Sequence, residues 1–396
     1  MSQKGTIRHK KYIEKNVFEA SLERMNYLYD CYDDVIISFS GGKDSTACLQ
    51  IALIVAEERN KLPLEVHFYD EEAIPWECID YVKRVADDPR INMKWFCLPV
   101  QHRNAASNDA TYWYCWDPEY KDKWVRPLPI EYNPIMEHPK FKMGMSFQEF
   151  ADEYIVGNVA VVMGIRTEES IRRYQVIAKK ANDCFISRGK FCTKAYPIYD
   201  WSSVDVWKLV ELLECDYNKA YDLMHMTERE SNFLAMRMCQ PWGEEPLRGL
   251  PAFKGLYPEL WNKMVDRVPG CATAGIYANT ELYSGLKKPD NMDWRTYMEV
   301  NLESYQELEI KNEVKTNINN YIKGHFRLSD DEIHDNLPHP ISGMSWKFLA
   351  MVAIKGDLKG RQKNKLGFMA QNRQKKLGIT EEQAYKIYGK TESTNQ

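Results

Sequence analysis

Ten cysteines are present, yet no two form a C-x-x-C pair. Without that spacing neither a zinc ribbon nor a thioredoxin-like dithiol fits. No cysteine follows Cys271. The eight histidines give no H-E-x-x-H and no i, i+4 pair, which argues against zinc held by the protein. Long apolar runs are missing too: the richest stretch, Ala47 to Ala56, falls well short of the ~18 to 20 residues that cross a bilayer. No signal-type run follows the basic start at Lys4, Arg8, His9, Lys10 and Lys11. The expectation is a cytoplasmic protein with reduced thiols and no membrane contact. An excess of one charge is absent as well: 53 Lys and Arg against 57 Asp and Glu leave −4, so the whole chain is no general polyanion binder.

The composition that remains, 44% hydrophobic and 28% charged, is that of a globular protein, and 396 residues suggest two domains. Apolar residues at near-helical spacing over 14–30 predict a first helix. The β-branched run Val35 to Phe39 predicts a strand, ending at Ser40-Gly41-Gly42, with a helix from Ser45 to about Glu58. Leu64 to Tyr69, Met93 to Leu98 and Val159 to Ile165 read as further strands, with helices at 74–85 and 147–154 between them. Pro197 to Tyr199 reads as another strand, and Ser202 or Ser203 caps a helix reaching about Glu214. Strands alternating with helices predict an α/β fold, a parallel twisted sheet with helices on both faces, over residues 1–215. Residues 99–146 interrupt it with six prolines and the aromatic segment Tyr112 to Trp116, and read as an ordered insertion. Residues 216–396 read as a mainly helical C-terminal region, with helices at 256–268 and 294–323. Its tail from Trp346 to Lys390 holds eleven Lys and Arg against three acidic residues, a stretch able to contact nucleic acid or to present an ordinary solvated face.

Chemistry concentrates at Ser40-Gly41-Gly42-Lys43-Asp44-Ser45-Thr46. Glycines there let a ligand approach the backbone, successive N–H groups form an anion nest, and the helix adds its positive end. Walker A spacing is not met, since Ile37 and Asp44 stand where Gly and Ser/Thr are required. Arg166, Arg172 and Arg173 follow a strand at its C-terminal end, where open α/β sheets bind ligands, and guanidinium forks suit phosphate or sulfate. A solvated Arg/Glu face built with Glu168 and Glu169 is the competing reading. The aromatic group at Tyr112 to Trp116, with Trp124 and Arg126, could stack a base or simply pack.

Ser40 to Ser45 matches in full the S-G-G-x-D-S signature of PP-loop ATP pyrophosphatases. Gly164 to Arg173 resembles the G-x-R-x-x-E/Q-S-x-x-R motif of the phosphoadenosine phosphosulfate (PAPS) reductase family, and Pro197 to Trp207 its P-I-x-D-W-x-x-x-D-V-W segment. The aromatic insertion and helical C-terminal part look most like a prophage-associated subgroup of the immunoglobulin-binding-regulator (IbrA/YbdN) type. The resemblance implies an adenine nucleotide α-hydrolase-like fold and ATP or PAPS as ligand. Mg²⁺ would be carried with the nucleotide. Ser40, Gly41, Gly42, Lys43, Asp44, Ser45, Thr46, Asp70, Gly164 and Ser170 would bind the nucleotide. Lys43, Asp44, Arg166, Arg172 and Arg173 would act in the reaction, cleavage of ATP between the α- and β-phosphates to adenylate an acceptor. It also implies, as alternatives, a thiol-dependent PAPS reductase or a nucleotide-responsive component working with a ParB-like partner. The reductases' E-C-G-x-H segment has no counterpart here, since Cys271 stands in Pro-Gly-Cys-Ala-Thr. An iron–sulfur cluster on Cys184, Cys192, Cys239 and Cys271 is disfavoured by their spacing.

Overall fold

A computed structural model describes residues 14–107, 110–169, 173–174, 177, 185–189, 191–227, 240–242, 250–277, 288–305, 307–357 and 360–390. The strands are β1 (Asp34–Phe39), β2 (Leu64–Tyr69), β3 (Ile91–Phe96), β4 (Gln101–Arg103), β5 (Tyr112–Tyr114), β6 (Val159–Met163), β7 (Ile186–Arg188) and β8 (Thr193–Ala195). Six of them form one sheet in the order β3-β2-β1-β6-β8-β7. All neighbours are parallel except the antiparallel pair β7 and β8. Chain order therefore reverses between β1 and β6, and ligands of open α/β sheets bind beyond the strand ends at such a reversal.

Two compact units divide the chain. The first comprises Met1–Gln101 and Cys115–Cys239, the second His102–Tyr114 and Gln240–Gln396. The division falls between Cys239 and Gln240 rather than at 215/216, and it splits the predicted insertion.

In the first unit, helix α1 (Val17–Cys31) opens with a capping box between Asn16 and Glu19. Helix α2 (Lys43–Glu58) follows β1 after a three-residue turn and is buried almost all round, as its run of Ala, Cys, Leu, Ile and Val dictates. Helix α3 (Trp76–Ala86) places Tyr81 against the Phe39 ring, and the Tyr81 hydroxyl meets Thr46 Oγ1 of α2 at 2.9 Å. The opposite sheet face carries Ile36, Val159 and Val161. These pack with Tyr154, the last residue of α4 (Phe147–Tyr154), and with Ile155 after it. Both faces are thus covered. Helix α5 (Ser203–Leu212) starts at a capping box of Ser202 with Asp205, and α6 (Ala220–Thr227) follows. Residues 197–200 form turns rather than the expected strand: Pro197 has no N–H to donate, and the Tyr199 and Trp201 amides turn back to the Tyr196 and Ile198 carbonyls.

The second unit is helical apart from the β4–β5 ribbon. Its helices are α7 (Leu250–Leu256), α8 (Pro258–Val265), α9 (Cys271–Tyr277), α10 (Trp294–Glu303), α11 (Leu308–Phe326), α12 (Trp346–Lys355), α13 (Asn364–Leu377) and α14 (Glu381–Tyr388). The single helix expected over 294–323 is two, α10 and α11. Its main core joins Met298 and Leu302 of α10, Val314, Ile318 and Tyr321 of α11, and Phe348, Leu349 and Val352 of α12. Among the described residues no helix is long and apolar enough to cross a membrane.

Candidate functional site

The turn after β1 is built by its glycines. Gly41 has φ +69°, and a Cβ there would lie 2.8 Å from Cys78 Sγ, so both the left-handed backbone and the close approach of α3 require glycine. Gly42 is the N-cap of α2 and supplies no side-chain cap, which leaves the helix's positive end to backbone amides. Ser45 Oγ and Thr46 Oγ1 both donate to the Gly42 carbonyl, at 2.9 and 3.0 Å, and lock the first helical turn. Gly164, just past β6, presses on that turn. A Cβ there would stand 2.6 Å from the Asp44 carbonyl carbon and 2.7 Å from the Ser45 nitrogen. β6 and the loop consequently meet with no side chain between them.

A cleft of about 230 Å³ opens here, lined by Ser38, Ser40, Gly42, Asp44, Ser45, Met163, Gly164, Ile165, Glu169, Arg173 and Tyr221. Glu169 and Arg173, four residues apart in sequence, form an ion pair at its wall. A second cavity of about 140 Å³ shares Ser38 and Met163 with the first. It runs between the sheet and α4, past His67, Tyr69, Phe147, Gln148, Cys192 and the ion pair of Asp152 with Lys194 at 2.8 Å. His67 is buried there; desolvation holds its imidazole below the usual range, against the pull of Glu65 on Nε2 at 2.7 Å.

The predicted residues fall into three groups. Ser40, Gly42, Asp44, Ser45, Gly164 and Arg173 line the cleft, and Gly41 and Thr46 shape the loop beneath it. Lys43, Arg166 and Asp70 do not line it. Lys43 is 2% exposed, with its ammonium 3.3 Å from Asp44 Oδ2 and 5.6 Å from the Tyr221 ring centroid. Arg166 is 1% exposed: Nε donates to Asp44 Oδ1 at 2.6 Å, one terminal nitrogen to the Trp201 carbonyl and the other to Ser203 Oγ. Glu168 stands 3.6 Å away. The buried guanidinium positions Asp44 instead of facing the cleft. Asp70, the residue after β2, is fully buried, where Arg126 at 2.5 Å, Trp95 Nε1 at 2.8 Å and the Glu72 amide at 2.8 Å satisfy it. Glu72 in turn accepts from the Trp116 and Val125 amides, so residues 115–126 of the predicted insertion are pinned to the end of β2. Trp116 and Arg126 are packed in that structure, the ring 4.9 Å from the guanidinium carbon. Ser170 and Arg172 lie outside the described residues, as do Cys184 and Cys239.

The sequence reading missed Ser38, Met163, Glu169, Tyr69 and Tyr221 as wall residues. Alternation could have found Ser38 and Tyr69, which share a sheet face; nothing local to Tyr221 signals its place. Burial raises the thiols beside the loop, Cys78 up to about 12 and Cys48 higher, and likewise raises Cys97 and Cys115, which lie against Asp70. Among the described residues no cluster of three His, Cys, Asp or Glu side chains could hold a metal ion, and both Asp44 oxygens are already engaged.

Residues 34–227 match the family model described as phosphoadenosine phosphosulfate reductase domain, and residues 231–330 the one described as domain of unknown function (DUF3440). The chain is 31% identical over 317 residues to the uncharacterized protein YbdN of Escherichia coli (strain K12), covering 74% of this chain and 76% of that protein. Among solved structures, the Candida glabrata FMN adenylyltransferase aligns with a TM-score of 0.32 and 11% identity, over 54% of this chain and 62% of its own. The Candida auris PAPS reductase in its phosphate complex aligns with a TM-score of 0.29 and 13% identity, over 54% of this chain and 94% of its own. The sequence matches cover the strands, the glycine turn and the β6 segment that form the cleft, and on them the chain belongs to the PAPS reductase family.

Proposed function

We propose that the chain is an enzyme that binds an adenine nucleotide at the β1–α2 turn and cleaves ATP between its α- and β-phosphates, transferring the adenylyl group to an acceptor. The observation that carries this reading is the cleft at the strand-order reversal, where the uncapped end of α2 meets Gly164 with no side chain between. Pyrophosphate, the leaving group, would rest on the loop amides, where fixed dipoles stabilise developing charge without reorganising. Arg173 is placed to meet a second anionic group by exchanging Glu169 for it. Asp44, held by Lys43 and Arg166, keeps the first turn of α2 in register. Magnesium would enter with the nucleotide, chelated by its phosphates. The second cavity, which shares Ser38 and Met163 with the cleft as wall residues, has the aromatic and apolar walls a base requires.

PAPS reduction is the competing chemistry. The two thiols beside the loop, Cys48 and Cys78, are buried and held protonated by desolvation, which favours adenylyl transfer over it. The test is incubation with α-labelled ATP or with PAPS and a thiol donor. AMP or an adenylated acceptor together with pyrophosphate is the expected outcome; sulfite from PAPS without ATP cleavage would replace the reading.

A polyanionic partner is a second reading, motivated by the second unit. From Lys355 to Lys376 the sequence holds eight Lys and Arg and one acidic residue, Asp357. That carboxylate is buried, accepting from the Tyr321 hydroxyl at 2.6 Å and the Gln362 amide at 2.9 Å. It therefore neutralises little of the exposed face. Nucleic acid retention that falls with added salt would support this reading, and retention independent of salt would end it.

A further inference from the structure

Three amides of the β1–α2 turn already meet protein oxygens. The Ser40 N–H points to Ser45 Oγ at 3.2 Å, the Gly42 N–H to Ser40 Oγ at 3.4 Å and the Lys43 N–H to the Tyr221 hydroxyl at 3.0 Å. The first two acceptors are serine hydroxyls of the loop and of the first turn of α2, local groups that a rotation about one bond can redirect. The third comes from α6, 178 residues further along the chain. Tyr221 is 3% exposed, its ring set edge-on to Trp207 at 5.3 Å, and it lines the cleft. Asn218 fixes the approach. Its amide donates to the Gly41 carbonyl at 2.9 Å, and its Oδ1 accepts from the Ala220 N–H at 3.0 Å, tying the start of α6 to the loop.

An anion seated on the N-terminus of α2 needs the amide that this phenol holds. We propose that Tyr221 is an affinity-determining residue of the anion subsite: its hydroxyl occupies the place of a phosphoryl oxygen, and binding exchanges one oxygen for the other at the Lys43 amide. The proposal rests on the nucleotide reading above and adds a consequence to it. The Asn218 bond to Gly41 remains while the Tyr221 bond is given up, so occupancy of the loop is felt at α6 as the loss of one tertiary hydrogen bond.

Calorimetric titration of the full chain and of Tyr221→Phe with inorganic pyrophosphate and with ATP tests this. The substitution keeps the ring against Trp207 and removes only the competing oxygen. Binding should tighten by about 2- to 12-fold, the net worth of one neutral hydrogen bond over water. Hydrogen exchange of residues 220–227 should rise in the wild type on saturation with pyrophosphate and change less in the variant. Equal or weaker binding by Tyr221→Phe, with the wild type binding normally, would overturn the proposal alone: equality would put the phenol out of the anion's way, and weakening would make it a ligand. Absence of binding by both proteins would overturn the nucleotide reading and this proposal together. Binding by the variant alone would support the competitor role.

Discussion

Replacing Arg166 by Met separates two accounts of that residue. A guanidinium that clamps a ligand contributes nothing before the ligand arrives. The buried Arg166 instead ties Asp44, the Trp201 carbonyl and Ser203 together through the protein's own hydrogen bonds. Removing one partner of a buried ion pair costs about 3 to 5 kcal/mol, because the other charge stays behind without it. Asp44 retains Lys43 at 3.3 Å, which puts the expected loss near the lower end, about 3 kcal/mol. With a urea dependence of roughly 2 kcal/mol per molar, the unfolding midpoint of the first unit should fall by about 1.5 M without any ligand. Urea titration followed by circular dichroism, with Arg166→Lys alongside, measures this. The lysine keeps the charge but loses the fork, so it should recover only part of the stability. An unchanged midpoint in Arg166→Met combined with lost ATP affinity would refute the buried-tie argument and restore the clamp.

Two further outcomes follow from the same geometry. Gly164→Ala puts a methyl group 2.6 to 2.8 Å from backbone atoms of Asp44 and Ser45, so β6 and the loop must part; a loss of about 1 to 3 kcal/mol is expected, with at least 10-fold weaker ATP binding by calorimetry and a retained circular dichroism spectrum. Unchanged affinity would detach Gly164 from the site. His102, in the second unit, is buried and stacked on Trp113 at 4.9 Å, and burial pushes its imidazole down to about 4. The unfolded chain binds that proton near pH 6.5, so the stability is fully present above that pH and is lost as pH falls from about 6.5 to about 4, by up to about 3 kcal/mol. His102→Phe should flatten the slope in that window, and an identical slope would show that another group causes it.

The elements that create the cleft were legible because their signals are local. Val35 to Phe39 followed by two glycines and an apolar helix specifies strand, turn and helix within 25 residues, and Ser146 with Glu149 marks the start of α4 by a capping box. The roles of Lys43, Arg166 and Asp70 were not legible. Each is a charge whose partner or surroundings come from far along the chain: Asp44 is 122 residues from Arg166, Arg126 is 56 from Asp70, and Tyr221 is 178 from Lys43. A charged residue beside a glycine turn reads as a ligand contact when its buried partner cannot be seen. The division within the insertion is hidden for a related reason: Tyr112 to Tyr114 pair with β4, whereas Trp116, Val125 and Arg126 bond to Asp70 and Glu72 just past β2, and nothing in the aromatic run marks the change of partner.

The described charges around the cleft balance: Lys43, Arg166 and Arg173 are matched by Asp44, Glu168 and Glu169. With those described side chains balanced, they add little long-range attraction for a bare triphosphate, so their contribution to encounter rates should depend only weakly on ionic strength. The balance also favours a ligand that brings its own counter-cation. A chelated nucleotide arrives with much of its repulsion already cancelled, whereas the free polyanion reaches the Arg173 guanidinium only by displacing Glu169.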